Sequence, residues 1–128
     1  MTMTPALAIA FVVLLAALAV FQLMLAAGLP FGRFAWGGQH KVLPRRLRVG
    51  SALSVLAYGI FAFIAVERAD ITNVVLARLV AVVAMWVIAG YLILSVLANL
   101  ASKSASEKRM MVPVSLALAT LATLIAVG

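Results

Sequence analysis

Few side chains near the polar segments of this 128-residue chain could exchange a proton or act as a nucleophile. Among them are a single histidine, His40, three acids, Glu67, Asp70 and Glu107, a lysine, Lys41, and the hydroxyls of Ser51 and Ser54. His40 has no carboxylate close to it in sequence to orient it as a general base, and a histidine so placed reads as a loop residue. Metal-ligand spacing, a glycine-rich phosphate loop behind a strand and a nucleophile elbow are all missing from the sequence. The chain has no cysteine, which removes disulfides, thiolate metal sites, iron–sulfur clusters and cysteine nucleophiles, and one histidine cannot supply two imidazoles to a haem. The expectation is a protein without catalytic residues, metal or cofactor, and not an enzyme.

Two other groups of residues could bind something. Gln22, Ser54, Ser95 and Asn99 are uncharged polar groups set in apolar surroundings, and Tyr91, Ser95 and Asn99 recur every four residues, which places them on one helical face. Mutual hydrogen bonds among Gln22, Ser54, Ser95 and Asn99 would hold helices together, each worth about 0.6 to 2 kcal/mol in a membrane. The alternative is a small polar cavity; mutual satisfaction is favoured because none of the four titrates. The second group, Trp36, His40, Arg45, Arg46 and Arg48, lies on a glycine- and proline-rich stretch running from Gly28 to Arg48, longer than most connections between helices. Its aromatic and basic residues suit a segment lying along a membrane interface; a sharper reading has it fold back as a lid or partner-binding surface over the polar helix ends.

The elements that must position these residues follow from composition. With 67% hydrophobic and 10% charged residues and a mean hydropathy of +1.26, the chain lies outside the range of water-soluble domains. Four apolar runs, about 5–27, 49–66, 74–100 and 110–127, are each of a length to cross hydrocarbon, and nearly all charges fall between them. Met1 to Pro5 carries no charged side chain and the run behind it exceeds a signal-peptide core, so it reads as a retained span. The fold class expected is all-α: a polytopic, single-domain bundle of four transmembrane helices.

Charge sets the orientation. Arg33, Lys41, Arg45, Arg46 and Arg48 lie between the first two runs without an acid; Lys103, Lys108 and Arg109 lie with Glu107 between the last two; Arg68 and Arg78 are offset by Glu67 and Asp70 in the middle. Basic connectors belong in the cytoplasm, so both termini are expected outside. The net charge of +7 points to anionic headgroups as partners of the basic connectors, not to nucleic acid. Arg78, just inside the third run, is expected to snorkel or to pair with Glu67 or Asp70, so that neutralising it would lower folding yield.

Local signals refine the boundaries. Asp70, Thr72 and Asn73 are N-cap types ahead of the third run, and Ser104-Ala-Ser-Glu107 has capping-box spacing ahead of the fourth. A helix starting near Ala105 would carry Pro113 in its interior and kink; a fresh start at Val112 would place Pro113 in a first turn instead. Small residues at helical spacing, Gly50 and Ser54, Ala77, Ala81 and Ala84, and Ser115, Ala119 and Thr123, are expected at close helix contacts.

Phe21-Gln-Leu, Ala27-Gly-Leu-Pro-Phe-Gly, Ala35-Trp-Gly-Gly, Leu43-Pro-Arg-Arg-Leu-Arg, and Asn99 followed by Ser104-Ala-Ser-Glu-Lys-Arg and Pro113 resemble the pattern of a group of small four-helix bacterial inner-membrane proteins. The resemblance implies the architecture and a bacterial cytoplasmic membrane, and transfers no site. The functional expectation is a noncatalytic accessory or oligomeric membrane module, with a homo-oligomer or a membrane protein as partner. The alternative is a minimal transporter or channel working as a homo-oligomer. In size and span number the chain resembles small multidrug exporters, but it lacks their membrane-embedded glutamate, and proton coupling would fall to His40, Glu67 or Asp70 at the edges.

Overall fold

The computed structural model describes residues 3–71 and 78–128. Among them are four α-helices, α1 (Met3–Ala26), α2 (Arg45–Arg68), α3 (Arg78–Leu100) and α4 (Ala105–Val127), two single 3-10 turns at Gly32–Phe34 and Trp36–Gly38, and no strand. Each helix has 23 or 24 residues, about 35 Å at 1.5 Å per residue, and all four are long and apolar enough to cross a membrane.

Two helices extend past the apolar runs that announce them. α2 begins at Arg45, where the carbonyl of Pro44 accepts from the amides of Leu47 and Arg48. Hydropathy detects the greasy stretch, whereas the backbone ladder continues through Arg45–Arg48. α4 begins at Ala105 with Ser104 as N-cap, its hydroxyl accepting from the Glu107 amide at 3.2 Å. Pro113 therefore lies within the helix, and the fresh start at Val112 is not what forms.

Helix ends follow stereochemistry as much as composition. α1 closes in a Schellman motif: the Leu29 amide bonds to the Met24 carbonyl and the Gly28 amide to that of Leu25, with Gly28 at φ +93°. α2 ends the same way, Ile71 bonding back to Val66 and Asp70 to Glu67, with Asp70 at φ +61°. Asp70, expected to cap the third helix, thus closes the second. Aspartate tolerates the left-handed conformation better than most side chains. Thr72, Asn73 and Ala77 lie outside the described residues.

α1 runs beside α2, α3 beside α4, and α1 meets α4; α2 and α3 touch more sparsely. The core between α1, α3 and α4 is built on Phe11, Leu15, Met85, Leu118 and Ile125, all fully buried. Ala81, Ala89, Ala119, Ala122 and Ala126 are buried with them, which allows the close backbone approach that helices in lipid depend on. Large apolar side chains such as Val13, Leu56, Leu79, Val87 and Leu94 cover the outside, as lipid contact requires. The even number of helices brings both chain ends to one end of the bundle, where Gly128 touches Thr4 and the buried Arg68 donates to the Ala126 carbonyl at 3.0 Å. Arg78 pairs with Asp70 at 3.5 Å on the surface there, both side chains more than half exposed.

Candidate functional site

The opposite end, which carries the connectors, holds the polar residues. The α1–α2 connector is folded, not slack. The Gly32 amide bonds to the Lys41 carbonyl, and Ala35 and Leu43 are buried in a second apolar cluster with Phe21, Leu25 and Met111. Trp36 lies across the start of α2, its indole Nε1–H donating to the buried Ser51 hydroxyl at 3.0 Å. Gly50 allows this approach, because a Cβ there would stand 2.9 Å from the indole ring. Gly50 was expected at a helix contact; its open face receives an aromatic ring from the connector. Trp36 itself has φ +52°, a conformation unfavourable for a bulky side chain and sustained only where the surroundings impose it.

The connector is also tied to α4. The Ser104 hydroxyl donates to the Arg33 carbonyl at 2.8 Å, and the Gly37 amide donates to Glu107 Oε2 at 3.4 Å. Gly38, at φ +71°, packs so close to Ser104 that a Cβ would collide with it. Ser102 donates its hydroxyl to Glu107 Oε1 and also accepts from the Ser104 amide. Only half of a capping box exists here: Glu107 turns away from the Ser104 amide and serves the connectors instead. These contacts are possible because α4 projects past its neighbour. Asn99, at the end of α3, bonds to Ser115, ten residues into α4, so about 15 Å of α4 extends toward the connector.

Beneath this cap is a cavity of about 330 Å³ that reaches all four helices, at the small end of the range for small-molecule sites, roughly 300 to 1,000 Å³. Gln22, Ser54, Ser95 and Asn99 all line it. The expected bonds among these four do not form. Ser54 donates to the Gly50 carbonyl of its own helix at 3.0 Å; Asn99 donates to the Ser115 hydroxyl at 3.1 Å and toward the Met111 carbonyl at 3.5 Å. Gln22, nine-tenths buried, has its Oε1 without a donor. The four stand around the cavity without bonding to one another: Ser54 turns to its own helix, Asn99 to α4, and Gln22 to the Tyr58 side chain of α2. A tilted aromatic row, Tyr58–Phe61–Tyr91, joins α2 to α3 beside the cavity, which Tyr58 and Tyr91 line, with 5.7 Å between the Phe61 and Tyr91 centroids.

The connector residues divide by role. Trp36 belongs to the cap. Arg48 is structural: its Nε donates to the Ala26 carbonyl at 2.9 Å and its guanidinium covers Gly28, a cation on the C-terminal end of α1. Arg45 and Arg46 point outward with Arg33 and Lys41, while His40 is half-buried in the connector and lines no part of the cavity. Glu107, Met111 and Ser115 were not singled out from sequence as lining residues. Their i, i+4, i+8 spacing was a usable signal, masked because Glu107 reads first as a helix cap.

Among the described residues no cluster of three or more metal-ligating side chains occurs. Comparison with protein families, with curated proteins and with solved structures found no match. The fold and site therefore define the class: an all-helical, four-helix bundle of the multi-pass membrane type, capped at one end by a folded connector.

Proposed function

We propose that this is a noncatalytic membrane module of a bacterial cytoplasmic membrane, with its basic connector on the cytoplasmic side and both termini outside. The observation that carries this reading is the division of labour in the connector. Trp36, Gly37 and the Arg33 carbonyl hold it to α2 and α4, which leaves the side chains of Arg33, Lys41, Arg45 and Arg46 outward as a fixed basic face. Such a face suits anionic headgroups, at about 1 kcal/mol per basic residue near the surface, and a second copy or a membrane protein seated beside them. Extraction in mild detergent followed by mass spectrometry tests the proposal. A defined complex carrying anionic lipid is expected; a bare monomer that supports solute flux in vesicles would overturn it.

The second reading, a minimal transporter or channel working as a homo-oligomer, draws support from the capped cavity. Against it stands the run of buried apolar residues Phe11, Leu15, Met85 and Ile125, which fills the bundle between the cavity and the terminal end. Any path through the protein would have to open that core.

A further inference from the structure

The cavity under the connector has a chemical bias that the rest of the protein does not share. Ten lysines and arginines give the chain its positive charge, yet none lines this space. The one carboxylate in the lining is that of Glu107, which is buried. Its carboxylate receives only neutral donors, the Ser102 hydroxyl and the Gly37 amide, and among the described residues no cation forms an ion pair with it. Gln22 also lies in the lining, and its buried Oε1 is an acceptor without a donor. The remaining surface of the cavity is mostly aliphatic and aromatic, with Phe34, Trp36, Tyr58 and Tyr91 contributing rings.

The geometry points to a binding site for a small amphipathic ammonium, an organic amine carried in its protonated form with an apolar body. An ammonium supplies the N–H donor that the Gln22 amide oxygen lacks, brings Glu107 the counter-charge that its two neutral donors do not, and is attracted to aromatic faces. A neutral alcohol would satisfy Gln22 and leave Glu107 without a counter-charge. A carboxylate or phosphate ligand would meet acceptors where it needs donors. The body of the ligand lies against Leu18, Leu92 and Leu118 deeper in the bundle, and access runs between α2 and α3, which touch more sparsely than the other neighbouring helices and are bridged beside the cavity by the Phe61–Tyr91 contact. This inference does not rest on the docking role proposed above, since partner capture and amine binding are separate measurements.

The test uses the full chain with Trp86→Phe, so that Trp36 in the cap is the sole indole, in nanodiscs of zwitterionic lipid that do not concentrate cations at their surface. Three probes share one body and differ in the head: 4-phenylbutylamine, 4-phenylbutanol and 4-phenylbutyrate at neutral pH. Saturable change in Trp36 emission with the amine is expected, with the alcohol weaker by about tenfold and the carboxylate giving no saturable change. Gln22→Leu, which keeps the apolar packing, should weaken the amine several-fold, and Glu107→Gln should remove the preference for amine over alcohol. If Glu107→Gln does not fold, the head-group series and Gln22→Leu carry the test unaided. Equal binding of amine and alcohol, saturable binding of the carboxylate, absence of saturation with the amine, or amine binding unchanged in Gln22→Leu would each overturn the proposal.

Discussion

The seating of Trp36 on α2 allows a sharp test, because one added methyl should unseat it. In Gly50→Ala the new Cβ would stand 2.9 Å from Cη2 and Cζ2 of the indole, whereas carbon atoms in contact settle at about 3.5 to 4.0 Å. The ring must therefore retreat by roughly 0.6 to 1 Å. Its Nε1 is already 3.0 Å from the Ser51 hydroxyl, and a retreat of that size takes it beyond hydrogen-bonding distance. Loss of the bond costs about 0.5 to 1.5 kcal/mol. Overpacking adds about 1 kcal/mol, the low end of its range, because Trp36 is 43% exposed and has room to move. Together, at tenfold per 1.4 kcal/mol, the cap should then be detached about 10- to 70-fold more often. Ser51→Ala removes the same bond without the clash, at about 1 kcal/mol. Since the two changes break one interaction, they should not add: Ser51→Ala in the Gly50→Ala background should cost almost nothing. Emission and acrylamide quenching of Trp36 in the Trp86→Phe protein report the opening, and thermal stability in detergent reports the energy. Additive effects, or quenching that neither variant alters, would refute the seating.

The helix cap and the two arginines at the terminal end make further predictions. Ser104→Ala should cost about 1 kcal/mol through the lost N-cap, and somewhat more because the Arg33 carbonyl loses its donor; Ser104→Asp should restore the cap but not the bond to Arg33, so thermal melts should rank wild type, Asp, Ala. Arg68→Ala should destabilise the protein by about 1.5 to 3 kcal/mol, because it removes a buried charged donor from the Ala126 carbonyl. Arg78→Gln, expected from sequence to lower folding yield, should instead change stability by no more than a few tenths of a kcal/mol, since its pair with Asp70 is exposed and screened; equal effects from the two arginines would show that the burial assigned to Arg68 is wrong. All three lysines lie at the connector end, Lys41 and Lys103 in the two connectors and Lys108 in the first turn of α4, so a membrane-impermeant amine reagent should leave all three unlabelled in intact cells and label Lys41 after lysis. Labelling of Lys41 in intact cells would reverse the proposed orientation.

Much of the architecture is a local property of the chain. Apolar stretches of about 20 residues bounded by charge are legible because the cost of exposing backbone to lipid leaves helices as the solution for such a segment. The N-cap pattern of Ser104 and Glu107 was likewise legible, since capping depends on residues three apart, but it left a fresh start at Val112 open until the structure showed α4 running from Ala105. Partners were not readable. Gln22, Ser54, Ser95 and Asn99 could be placed at one end of the bundle from sequence, but whether they bond to one another depends on the spacing of helices, which α4 and the connector set. Gly50 and Asp70 make the same point: each was noticed for a role its residue type allows, and each serves another because of what the fold brings beside it. Hydropathy and capping are summed along a few turns of one helix, so the sequence alone determines them. The acceptor-lined space beneath Trp36 arises from Glu107 meeting Gly37 across seventy residues, and only the tertiary structure decides such a meeting.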